Sequence, residues 1–252
     1  MDNFREIIFS GRNLRYFGLV LKKDNSLIDF AENSLELMNI KGSLIGDVIS
    51  GDRSRKNVEK TLTFKTLPNE ITYPEDKYIK LLTDWLNNVG GYYHTFEDSA
   101  RSGYETEALL KSVGSIKKSF DKCYEISMTF SIRPYWHKKT GLKWVERSFV
   151  SSGALTLINP ENFEAFPFIT VDSSTTGTDG GFTLYINSKP FAVSSLTSGG
   201  IQIDSERMRI NPCTYAASND LPYFVQGENS IVFSGNSAAT FNLEIQPRWR
   251  VY

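Results

Sequence analysis

Between Cys123 and Ile132 apolar and polar side chains alternate without a break. Tyr124, Ile126, Met128, Phe130 and Ile132 share one parity, and Glu125, Ser127, Thr129 and Ser131 share the other. A strand turns its side chains over at every residue, so the pattern predicts a long strand with one dry face. Pro134 cannot donate to a ladder and ends it. Tyr135 and Trp136 then make an aromatic step, and 138–141 a polar turn. This strand is expected to close a first domain, 1–148, with a linker to about Gly153 and a second domain over 149–252.

Ahead of it, residues 4–21 read as a hairpin: Ile7–Phe9, a turn at Gly11-Arg12-Asn13, then a strand from Tyr16 to Leu21. Residues 22–40 have no clear period. Residues 41–61 change character, with glycines and the short apolar pairs Leu44-Ile45 and Val48-Ile49 set among charges. This predicts an extended arm or hairpin without a core of its own, which must pack on something else. A strand resumes at Leu62 and Phe64.

Tyr78, Leu81, Leu82, Trp85, Leu86 and Val89 recur at helical spacing and predict one helix, about 74–89. Pro74 suits its first turn, Glu75 and Asp76 suit the positive end of its dipole, and Gly90-Gly91 ends it. Tyr92–Glu97 reads as strand, 98–103 as turn, and 104–115 as strand despite its helix-forming Glu and Leu.

The second half predicts a sandwich of short alternating strands without a helix. Its apolar positions are Leu155 and Leu157; Phe182, Leu184 and Ile186; Phe191 and Val193; Ile201 and Ile203; Ile231 and Phe233; and Phe241, Leu243 and Ile245, before Pro247. Turns are expected at 187–190, 204–206 and 227–229. The segment Thr176–Gly181 is Gly-rich but has neither the Lys nor the helix start of a phosphate loop, so a mobile hairpin tip is expected.

Composition narrows the function. Apolar residues at 40% against 23% charged describe a globular chain, and 17 Phe with 12 Tyr favour sheet. With 28 basic and 29 acidic residues the net charge is −1, which argues against tight nucleic-acid binding. No apolar run approaches the ~20 residues that span a bilayer, so no membrane insertion is expected. Met1–Glu6 lacks the basic lead and apolar run of a secretory signal. Cys123 and Cys213 read as isolated buried thiols rather than a disulfide framework. The two histidines, His94 and His137, have no second His or Cys at ligand spacing, so neither a metal site nor a cofactor is expected. No nucleophile elbow is present and no carboxylate pair stands out, so no catalytic residue is assigned and no enzyme is expected.

The order of four pieces resembles the distal tail proteins of long-tailed phages of Gram-positive hosts: FSGRNLRYFGLVL, YPEDKYIKLLTDWL, EISMTFSIRPYW with its basic turn and Gly141, and IQIDSE with GENSIVFSGNSAATFNLEIQPRW. The resemblance covers the whole chain. It implies a mainly β protein: an N-terminal β-sandwich with one helix and a projecting belt hairpin, and a C-terminal galectin-like β-sandwich. It implies a homo-hexameric ring at the distal end of a virion tail, assembled in the host cytoplasm. That ring would join the tail tube protein to the tail-associated lysin or fibre protein, with receptor-binding or upper baseplate proteins at its periphery and a central channel for DNA. The arm at 41–61 matches the belt, which would give Leu44, Ile45, Val48 and Ile49 the task of gripping the next subunit. The galectin sugar motif is absent: 153–252 holds no His, and its only Trp is Trp249. Scaffold is therefore preferred over the alternative, a carbohydrate-binding host-adhesion module.

Overall fold

The computed structural model describes residues 5–22, 36–38, 48–50, 55–67, 71–120, 122–197, 199–212 and 220–251. The chain is mainly β and divides into two compact units, one up to Trp136 and one spanning His137–Val251. The division thus falls ahead of the expected 148/149.

In the first unit, β1 (Ile7–Phe9) and β2 (Arg12–Asn13) form a tight antiparallel hairpin. Ser10 and Gly11 close it, both at positive φ (53° and 71°), so the turn lies one residue before the expected position. Tyr16 and Phe17 are not in a strand. The Asn13 side chain accepts from the Arg15 N–H and caps a 3-10 turn over Leu14–Phe17, which Gly18 ends at φ 68°. The local cap wins over the apolar run, and β3 (Leu19–Leu21) then pairs with a distant strand instead of with β1.

β4 (Glu36–Met38) and β5 (Val48–Ser50) form a two-stranded antiparallel sheet of their own, Leu37 opposite Ile49. Val48 and Ile49 of the expected arm lie on β5; Leu44 and Ile45 fall outside the described residues. β6 (Val58–Thr66) starts inside the span assigned to the arm. Its first four positions are open or half-buried, so its entry into the sheet left no apolar period to read.

Helix α1 (Glu75–Asn88) matches expectation, with Pro74 at its N-cap and Gly91 beyond its end at φ 87°. β7 (Tyr93–Asp98), β8 (Tyr104–Val113), β9 (Lys117–Phe120) and β10 (Cys123–Ile132) follow. The strand order is β2-β1-β7-β8-β10-β6-β3, and β9 also pairs with β10. All five apolar alternates of β10 are buried. Cys123 at its start is half-buried and free; Cys213 lies outside the described residues.

The core of this unit is aromatic. Trp85 from α1 packs on Phe17 (ring centroids 4.8 Å) and edge-on to Phe9 (6.2 Å), and Phe9 meets Phe130 (5.2 Å). Tyr78 stacks on Tyr124 at 5.5 Å and donates its hydroxyl to the Phe17 carbonyl at 3.0 Å. Burial first, then the neighbouring Tyr124, pushes the Tyr78 phenol well above its ordinary range.

β11 (Trp136–Lys138) carries the chain across the boundary. The second unit is a sandwich. One sheet runs β12 (Val145–Val150), β20 (Thr240–Gln246), β14 (Phe168–Ser173), β17 (Ile201–Asp204), β18 (Arg209–Asn211). The other runs β13 (Ser152–Asn159), β19 (Gly227–Gly235), β15 (Phe182–Ile186), β16 (Lys189–Val193). The expected linker is mostly strand: β12 pairs with β20 along its length, and β13 begins at Ser152. The apolar alternates of both sheets meet in one core.

Two expected turns are different. Asn187 and Ser188, at φ 50° and 68°, alone close the β15–β16 hairpin, and Pro190 already sits in edge strand β16. Gly227–Asn229 is the start of β19. The buried Asn229 side chain accepts from Asn187 Nδ2 and the Val225 N–H, and donates to the carbonyls of Val225 and Gly227, all at 2.8–2.9 Å. Its full hydrogen-bonding capacity is met inside the sandwich. The Gly-rich 176–181 segment is fastened rather than a free tip. Gly177 exchanges two backbone hydrogen bonds with Leu196, and Asp179 O and Gly181 O accept from Ser237 and Asn236.

The unit's two ends are laced together. Lys138 N donates to Trp249 O (2.8 Å), Arg248 N to Gly141 O (2.8 Å) and Gln246 Nε2 to Leu142 O (2.8 Å). A Cβ on Gly141 would lie 2.6 Å from the Trp249 nitrogen, so only glycine permits this approach. β21 (Arg250–Val251) follows.

Candidate interaction surfaces

Each of the two histidines makes packing or polar contacts within its own unit. His94 packs edge-on to Phe9, with Nδ1 3.2 Å from Ser10 Oγ. His137, in the other unit, sets Nε2 3.1 Å from Glu206 Oε1. Among the described residues no group of three His, Cys, Asp or Glu side chains could hold a metal ion. No described helix is long and apolar enough to cross a membrane.

A charged cluster sits where the 204–206 turn meets the segment after β20. Arg248, itself at φ 57°, donates from Nη1 to Asp204 Oδ1 (2.7 Å) and Glu206 Oε2 (3.4 Å) and lies over the Phe168 ring. Burial alone would push the Glu206 carboxyl up. The hydrogen bond and charge of His137, with the charges of Arg248 and Arg250, overcome this and hold it below its ordinary value of 4.5. Glu206 is thus kept as a carboxylate that pins the end of the chain, the opposite of what a general acid needs. The folded value is depressed, so its contribution is present above about pH 4.5 and is lost as pH falls through the lower folded value. Glu206→Gln should therefore flatten the stability profile below pH 4.5, measured by denaturant midpoints across pH. An unchanged acid limb would refute the linkage. The two halves of this cluster lie in IQIDSE and QPRW, far apart in sequence, and neither segment carries a pattern that predicts their contact.

Surfaces offer more. In the first unit Tyr92 (73% exposed) and Tyr16 (65%) stand open. On the outer face of β13-β19-β15-β16, Ala154, Val232, Tyr185 and Pro190 occupy facing register positions and make an apolar row across all four strands. On the same unit Arg250 lies over Phe166 (4.3 Å), Phe166 meets Tyr223 (6.4 Å), and Lys189 lies over Tyr223 (4.5 Å). Its hydrogen bond to the Tyr223 hydroxyl, above all, pushes the exposed Lys189 ammonium up. Tyr223, Lys189 and Asp220 border a cavity of about 310 Å³ floored by Leu184, Ile186 and Phe191.

No protein-family model matches the sequence, and no curated protein matches it. The two β units, in this order, do match a solved structure: the SPP1 Dit protein, described as a paradigm of the hub adsorption apparatus in phages infecting Gram-positive bacteria. The superposition covers 95% of this chain and 98% of that one, with a TM-score of 0.59 and 11% identity. The chain has the Dit fold. The mainly β hub fold that the sequence resemblance implied is thus the fold observed. The Dit likeness spans both units.

Proposed function

We propose that this chain is the structural, non-enzymatic hub of a phage tail tip. Six copies close into a ring at the distal end of the tail, around a channel for DNA. One face joins the tail tube protein and the other the tail-associated lysin or fibre protein, with receptor-binding components at the periphery. The observation that carries this reading is the near end-to-end match to the Dit hub fold. The β4–β5 hairpin supports a belt, since its strands pair with each other and with no other described strand. A ring requires a heterologous contact that closes, and an arm reaching to the next subunit provides one.

Mass measurement of the purified protein, with imaging of the assembled virion, tests the ring. A six-fold species is expected. Deleting 43–56 should shift it to smaller species while the subunit keeps its melting transition. A strict monomer that joins no tail component would overturn the proposal. A second reading, sugar binding by the second unit as a galectin-like host-adhesion module, draws on the Phe166–Tyr223 ring pair beside the cavity. Binding of the protein to host cell-wall polysaccharide would favour it.

A further inference from the structure

β13 is the outermost strand of its sheet, and its sequence SGALTLIN contains neither a charge nor a proline. Natural edge strands usually carry such guards, because an open row of N–H and C=O groups templates pairing with another chain. The other edges described here carry such a residue or, like β3 and β5, are only three residues long. β16 carries Lys189 and Pro190, β12 carries Glu146 and Arg147, β18 carries Arg209, and β2 carries Arg12.

The ladder shows which groups are open. Gly235 N donates to Ser151 O, and Asn187 N donates to Ser230 O. Odd positions of β19 therefore bond β13 and even ones bond β15, so within β13 the odd positions are used. Residues 152, 154, 156 and 158 turn their N–H and C=O to the free edge. Their side chains are all exposed, Ile158 to 68%. The inward Leu155 and Leu157 are only half-buried, whereas Ile231 and Asn229, which face them in register, are fully buried.

We propose that β13 pairs antiparallel with β13 of a second copy of this chain, about a two-fold axis at Thr156. The occupant follows from the sequence being complementary to itself in that register. Thr156 faces its own copy, a favourable cross-strand pair. Ala154 meets Ile158 of the second copy on the outer face, and Leu155 meets Leu157 of the second copy on the inner face, covering what each leaves exposed. The open hydrogen-bonding groups at 154, 156 and 158 fall opposite one another, and no like charges meet across the axis. The contact is separate from any arm-mediated one and does not rest on the ring.

Sedimentation velocity of the full chain tests it. Thr156→Lys sets two ammonium groups against each other on the axis while leaving an exposed position of the subunit otherwise undisturbed. The largest species should fall to half its mass, with the melting transition kept, and Thr156→Val should retain the wild-type mass. Ile158→Asp, at the most exposed position of the strand, should act like Thr156→Lys. Identical mass distributions for wild type and both charged variants would overturn the pairing. So would loss of virion incorporation with unchanged mass, because a different chain would then be using the edge.

Discussion

Trp85→Ala should destabilise the first unit by about 3–5 kcal/mol. Trp85 is 7% exposed and stands at the centre of the buried stripe of α1, between Tyr78 and Leu82 on one side and Val89 on the other. Its indole lies against Phe17 and the edge of Phe9. Those rings are fixed in turn: Phe9 by Phe96 and Phe130, and Phe17 by a 3-10 turn that Gly18 terminates. Neighbours held this way cannot collapse into the space left, so the cavity cost adds to the lost burial. Chemical denaturation should show the full loss for Trp85→Ala and a smaller one for Leu86→Ala on the half-buried flank. An unchanged midpoint for Trp85→Ala would mean that the stripe faces water.

In the second unit the same magnitude, about 3–5 kcal/mol, is expected for Phe233→Ala. Phe233 is fully buried and meets Phe182 from its own sheet (5.2 Å), and Phe149 (5.7 Å) and Phe241 (5.0 Å) from the facing one. Two glycines make room for this cluster. A Cβ on Gly153 would lie 1.9 Å from the Phe149 ring, and one on Gly235 2.2 Å from Phe241. Glycine has no side chain to move into the vacancy, so the hole would persist. Val232→Ala, one residue away on the open face, should change stability by no more than about 0.5 kcal/mol. Thermal unfolding of the pair separates burial from strand propensity, and equal melting points would contradict the packing described.

What could be read from sequence was whatever repeats along it. The stripe of α1 and the alternation of β10, β15 and β20 are periodic because one face of each is buried, and there the expected and observed elements agree. β12 was missed because its side chains, Val145 to Val150, are exposed or half-buried on both faces and leave no alternation. Leu14–Phe17 looked like strand because it is apolar. A single side-chain cap from Asn13 decided otherwise, and that competition has no periodic signature. Asn229 looked like a turn residue because asparagine usually is one, and its partners lie up to forty-two positions away. The interaction surfaces were the least legible. SGALTLIN reads as an ordinary strand, and only the sheet order makes it an edge. Its missing charges were visible, but their meaning was not.

The lacing of residues 138–142 to 246–250 has a mechanical consequence. Force applied between residues 138 and 250 loads these few hydrogen bonds first and reaches the two sheets only after they have parted. The seam, and not either sheet, is therefore where the second unit should first give way under load.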